Sequence, residues 1–160
     1  GEPGTTYWKS SETWNGTSWT EGNNLTTERQ APVGAGIVTA GLCIAGSPST
    51  NKVEAYDGTC WSETSTDINT ARVSLGGSGT STLAVVYGGS PNLTVTESFD
   101  GTSWTEVGDL ATGRYDGANA QAPGNTNTQA MWIGGQTPTI VDNVESYSDP
   151  VYSIKTVTVS

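Results

Sequence analysis

The hydrophobic positions of this chain come in short runs, and the runs are of three kinds that recur in a fixed order. One kind is apolar almost throughout and ends in small residues: Gly41–Gly46 (GLCIAG), Leu83–Gly89 (LAVVYGG) and Ala130–Gly135 (AMWIGG). A strand buried on both faces reads this way. A second kind alternates apolar and polar positions, as at Lys52–Asp57 (KVEAYD), Thr94–Asp100 (TVTESFD) and Asn143–Ser148 (NVESYS). Alternation marks a strand with two different faces. The third kind is small and Gly-rich: Ala31–Val38, Arg72–Gly79 and Asp116–Gly124. No segment keeps a convincing helical period, so every expected element is a strand.

After each alternating run comes a turn dipeptide, Asn15-Gly16, Asp57-Gly58 or Asp100-Gly101, and then a fourth short strand: TSWTE at Thr17–Glu21, TCWSE at Thr59–Glu63 and TSWTE again at Thr102–Glu106. Gly58 and Gly101 are expected to supply the positive φ of a tight hairpin turn. The order of the pieces is fixed by four markers. Trp19, Trp61 and Trp104 are spaced by 42 and 43 residues, and Arg29, Arg72 and Arg114 by 43 and 42. The Gly pairs Gly88-Gly89 and Gly134-Gly135 close the apolar runs, where the first copy has Ala45-Gly46. A Glu-x-aromatic pair opens each turn: Glu12 and Trp14, Glu54 and Tyr56, Glu97 and Phe99, Glu145 and Tyr147.

A period of this length fits a blade of four short strands. The chain reads as one repeat domain over residues 1–160, with a leading half blade at 5–21 and fuller blades at about 31–63, 74–106 and 117–159. The last copy is altered. Its Tyr152 falls five positions after Tyr147, as Trp104 does after Phe99, and an alternating strand is expected over Val151–Val159.

The Gly-Gly after an apolar strand, the aromatic, and the Trp five positions on resemble kelch repeats of the galactose oxidase type. The wording of the YDGTCWSE and FDGTSWTE phrases, with INTAR and LATGR following, is similar to kelch-like repeat proteins encoded by tailed bacteriophages, marine and cyanobacterial ones in particular. The resemblance covers about residues 12–153 and implies an all-β fold of β-propeller blades. The repeated phrase is then the hairpin of each blade. Its Trp is expected to fill the gap between blades, buried equivalently in all three copies, at a gain on the order of 2 kcal/mol each. Each repeated Arg is expected to span a joint between blades, donating to backbone carbonyls or to a repeated Glu.

Three blades and a half do not close a ring, since propellers usually have roughly four to eight. An open array leaves strand edges and an apolar blade face in water. Completion by oligomerisation or by further chain is therefore expected. The resulting reading is a non-enzymatic structural protein of a virion, of fibre, spike or decoration type, with a role in host contact; its expected partners are copies of itself, neighbouring virion proteins and a host surface glycan. The alternative is a secreted or cell-surface propeller that binds glycans, with Trp8 as the candidate ligand contact.

Composition narrows the chemistry. The chain has no His, which removes Ser-His-Asp triads and His-ligated copper or zinc. The copper activity of galactose oxidase is therefore not carried over. No phosphate loop and no Asp-rich calcium loop is present. The acidic residues recur with the period, which points to scaffolding, so no catalytic residue, cofactor or metal is expected. A net charge of −10 argues against nucleic acid. No apolar run approaches the roughly 20 residues of a membrane-spanning helix. Cys43 and Cys60 fall on strands separated by a third, about 10 Å apart at the usual strand spacing, too far for a disulfide.

Overall fold

The structure is a computed structural model that describes residues 7–121 and 127–148. These residues form four antiparallel sheets, and no helix occurs among them. Sheet I is the leading hairpin, β1 (Glu12–Trp14) and β2 (Trp19–Glu21). Sheet II runs in order β3 (Val33–Ile37), β4 (Ala40–Ile44), β5 (Val53–Tyr56), β6 (Trp61–Glu63). Sheet III repeats it with β7 (Gly76–Gly79), β8 (Ala84–Tyr87), β9 (Thr96–Phe99) and β10 (Trp104–Glu106). Sheet IV has β11 (Ala118–Gln121), β12 (Gln129–Ile133) and β13 (Val144–Ser148). The final strand expected over Val151–Val159 lies outside the described residues.

Each sheet is a meander in which sequence neighbours pair, as short connections favour. The turn phrase closes each outer hairpin in the same way. Asn15, Asp57 and Asp100 each accept, on Oδ1, the backbone N–H groups two and three residues on, at 2.8–2.9 Å. Gly16, Gly58 and Gly101 follow with φ of 97°, 95° and 95°. An L side chain is strained there, which is why the sequence repeats Gly.

Successive sheets pack face to face. The first strands touch in series, β3 against β7 and β7 against β11, and no closed ring is formed among the described residues. Backbone bonds stitch the joints: Gly46 N donates to Arg72 O (3.2 Å) and Gly89 N to Arg114 O (2.9 Å). Ser74 N donates to Ala31 O and Asp116 N to Ser74 O, three residues in register that share a φ of 50–54°. The main core joins sheet II to sheet III: Leu42, Ile44 and Val53 meet Leu75, Ala84, Val86, Phe99 and Trp104. A smaller one joins III to IV through Val85, Tyr87, Ala130 and Trp132. Trp132 occupies the register position of Val86, opposite the repeated Glu. Its bulk fits because sheet IV has Gly117 where sheet III has Leu75; a Cβ at Gly117 would overlap the indole.

The expectation that Trp19, Trp61 and Trp104 are equally buried is corrected. Their register is equivalent, each directly across from the aromatic before the turn: Trp14–Trp19, Tyr56–Trp61 and Phe99–Trp104. Ring centroids lie 5.6, 5.1 and 4.9 Å apart. Burial is not equivalent. Trp104 is 7% exposed, Trp61 is half-buried and Trp19 is 65% exposed. The cause is the neighbour on that face. Sheet II covers Phe99 and Trp104, only a hairpin stands before Tyr56 and Trp61, and no sheet among the described residues precedes Trp14 and Trp19.

Candidate functional site

The repeated arginines and glutamates meet at the joints. Each Arg lies in the loop after one sheet and reaches a Glu on the third strand of the next. Arg29 pairs with Glu54 at 2.5 Å, Arg72 with Glu97 at 3.2 Å and Arg114 with Glu145 at 3.0 Å. The same loops present backbone N–H groups to the carboxylates: Thr26 and Thr27 to Glu54, Asn69 and Thr70 to Glu97, Ala111 to Glu145. Arg29 also donates from Nη1 to Ala45 O and Lys52 O. Arg72 and Arg114 stand beside their carboxylates without the aligned N–H···O geometry of Arg29. Burial lowers the Arg72 pKa and the Glu97 charge opposes that. Glu54 and Glu97, fully enclosed, each meet one cation and two or three further donors, which is what burial of a charge demands.

A second carboxylate recurs that the sequence analysis did not single out. Asp67 and Asp109, five positions before Arg72 and Arg114, accept from Val53 N and Thr96 N at 3.1 Å. Their fixed offset from each Arg was the available signal.

Beyond Gly58 and Gly101, the marked glycines lie at the ends of the apolar strands. Gly88 and Gly134 have φ of 62° and 61°, and Gly89 and Gly135 have 118° and 109°. A Cβ at Gly89 would sit 3.0 Å from Val73 O, so the close approach of two backbones excludes a side chain. Trp8 is exposed, and its backbone O accepts from Arg29 N at 3.0 Å. Cys43 is buried on β4 and Cys60 exposed beside β6, and both are free thiols. Burial pushes the Cys43 thiol up to about 11.

The joints leave two unmatched ends. At the leading end, β1 is paired on one edge only among the described residues, and a cleft of about 460 Å³ opens beside it, lined among others by Thr13, Trp14, Trp19, Ile37 and Tyr56. At the other end, sheet IV exposes positions that are sealed elsewhere. Ile44 is fully buried and its register equivalent Ile133 is 41% exposed; Val53 is 1% exposed and its equivalent Val144 is 56%. Met131 stands where Leu42 and Val85 are buried, and is also exposed.

Among known proteins, no family model matches this chain and no curated protein matches it.

Proposed function

We propose that the chain is a non-enzymatic assembly module built of kelch-like β-propeller blades, a structural component of a virion of fibre, spike or decoration type. The observation that carries this reading is the contrast between equivalent positions. Ile44 and Val53 are sealed within a joint, while Ile133 and Val144 face water at an end. Apolar surface of that kind is stable when another protein surface covers it. The recurring acids Glu54, Glu97 and Glu145 are held by arginines and backbone amides, so their repetition serves the joints rather than a single reaction centre. Copies of this chain or neighbouring virion proteins would bury upwards of about 1,200 Å² at such a contact.

Sedimentation at micromolar concentration, with melts at several concentrations, tests the reading. An assembly larger than 16.6 kDa whose melting temperature rises with concentration is expected. A monodisperse 16.6 kDa species with a concentration-independent melt would overturn it.

A second reading, a secreted or cell-surface glycan-binding propeller, draws on the exposed rings of Trp8, Trp14 and Trp19. Sugar rings stack on such faces. Binding of glycans by a monomer, abolished by Trp8→Ala, would favour it.

A further inference from the structure

We infer that the leading end is a receptor for a segment with the chemistry of this chain's own joints: an aliphatic-x-x-x-Arg loop, then a Gly-rich strand, then an apolar strand. The Arg seats on Glu12 and the apolar strand pairs with β1. The inference rests on the assembly reading and names the partner for one of its two ends.

Glu12 is the fourth member of a set whose other three are occupied. It stands across from Glu21 as Glu54 does from Glu63 and Glu97 from Glu106. Those two and Glu145 each take an Arg from the sheet before. Glu12 is exposed, and its carboxylate has no hydrogen-bond or ion-pair partner among the described residues. The chain has only three arginines, and each is committed to its own Glu. A vacant cation position therefore sits on a protein of net charge −10, which favours a basic loop as its occupant.

The strand next to Glu12 is vacant in the same sense. β1 holds the register position of β5 and β9, which pair on their inner edge with the apolar strands β4 and β8. Those strands pair in turn with the Gly-rich β3 and β7. On β1 that edge has no partner strand among the described residues and borders the cleft of about 460 Å³. Adding a strand to a free edge gives affinity through main-chain hydrogen bonds, and pockets for alternate side chains give specificity.

A second copy does not match these vacancies. Its arginines lie in buried pairs and its apolar strands are paired on both edges. What it offers is the exposed face of Met131, Ile133 and Val144, which has neither an Arg for Glu12 nor a strand for β1.

The probe is a synthetic peptide of residues 66–91 of this sequence, which contains Ile68, Arg72, the Gly-rich strand and the apolar strand. Added to the full chain, it is expected to bind, to slow amide exchange across Glu12–Trp14 and to shift tryptophan emission to the blue. Replacing the peptide's Arg by Gln, or Glu12→Gln in the chain, is expected to weaken binding about tenfold or more, as for a hydrogen bond to a charge. A covalent arm guards against a poorly soluble peptide. The same residues are joined directly ahead of Tyr7, the register position of Asn92. There the melting temperature is expected to rise, and Glu12→Gln, neutral in the chain as it stands, is expected to lower it.

The inference is overturned if the joined segment leaves the melt and the emission unchanged, or if Glu12→Gln is neutral with and without it. An assembly of identical chains that protects Glu12–Trp14 without peptide overturns it in favour of self-association. A chain that assembles yet ignores both forms of the segment sinks this inference and leaves the assembly reading standing; a monomer that ignores both sinks the two together.

Discussion

Arg72 Nη2 stands 3.2 Å from Glu97 Oε1, and neither side chain is exposed to water. The two charges come from different sheets, so the contact exists only when sheets II and III are docked. Removing the cation strands a buried carboxylate with the Asn69 and Thr70 amides alone. Arg72→Leu is expected to cost about 3–5 kcal/mol in denaturant melts. Arg72→Leu with Glu97→Gln is expected to recover part of that loss. Lys52→Ala, which removes a solvent-exposed partner of Asp67, should not measurably change stability.

The three repeated tryptophans should separate in energy as they do in burial. Trp104→Ala is expected to cost about 3–5 kcal/mol, as large core truncations do. Trp19→Ala in the isolated chain should cost under about 1 kcal/mol. If a partner seals the leading end, the Trp19 value in the complex approaches that of Trp104. Chemical melts of the two variants, alone and in complex, read both differences.

The turn carboxylates predict an acid limb. Backbone amides of Cys60 and Thr59 hold Asp57 below the ordinary carboxylate value, and those of Ser103 and Thr102 do the same for Asp100. A lowered folded pKa means that the unfolded chain takes up the proton first. This contribution is therefore complete above the ordinary Asp range and lost as the pH falls through the depressed values. Asp57→Asn with Asp100→Asn keeps the acceptor and removes the titration. Its stability between about pH 2 and 5 should fall less steeply than that of the parent.

The thiols predict an alkaline limb and a labelling asymmetry. The free Cys titrates at 9.0 and the folded Cys43 at about 11, because burial disfavours the thiolate. Stability is complete below pH 9.0 and drains as the pH climbs through about 11, by about 2–3 kcal/mol in all. Cys43→Ala should remove that part of the limb. At pH 8 a thiol reagent should label one cysteine per folded chain, and Cys60→Ser should abolish the labelling, since Cys60 is exposed and Cys43 is not.

Strand order and turn positions were legible because both rest on local chemistry. Alternation at Lys52–Asp57 and Thr94–Asp100 placed β5 and β9, and the Asp-Gly pairs placed the hairpins between them and β6 and β10. The repeated Arg was legible as a link across a joint to a repeated Glu, but which Glu each one meets was not. Arg29 and Glu54 belong to different sheets, and their pairing depends on how the sheets dock. The burial of the tryptophans was misread for the same reason. Trp19 and Trp104 sit in nearly identical phrases, yet their exposure is decided by residues a full repeat earlier in the chain. The apolar run Ala130–Gly135 reads as a strand buried on both faces, yet Met131 and Ile133 are exposed, and the space that Trp132 fills is set by Gly117, just ahead of the preceding strand.

The division of each joint between two units also bears on how such a chain grows. A duplicated segment that begins after an Arg ends with the next one, and one that begins before a Glu carries that Glu along. Wherever the breakpoints fall within the period, the inserted copy accepts the guanidinium offered from behind and offers one ahead. Lengthening by unequal crossing-over is therefore tolerant of where the cut is made, provided the insert is a whole period long. The inventory of matched charges then stays balanced along the array, because each added period brings one Arg and one Glu with it.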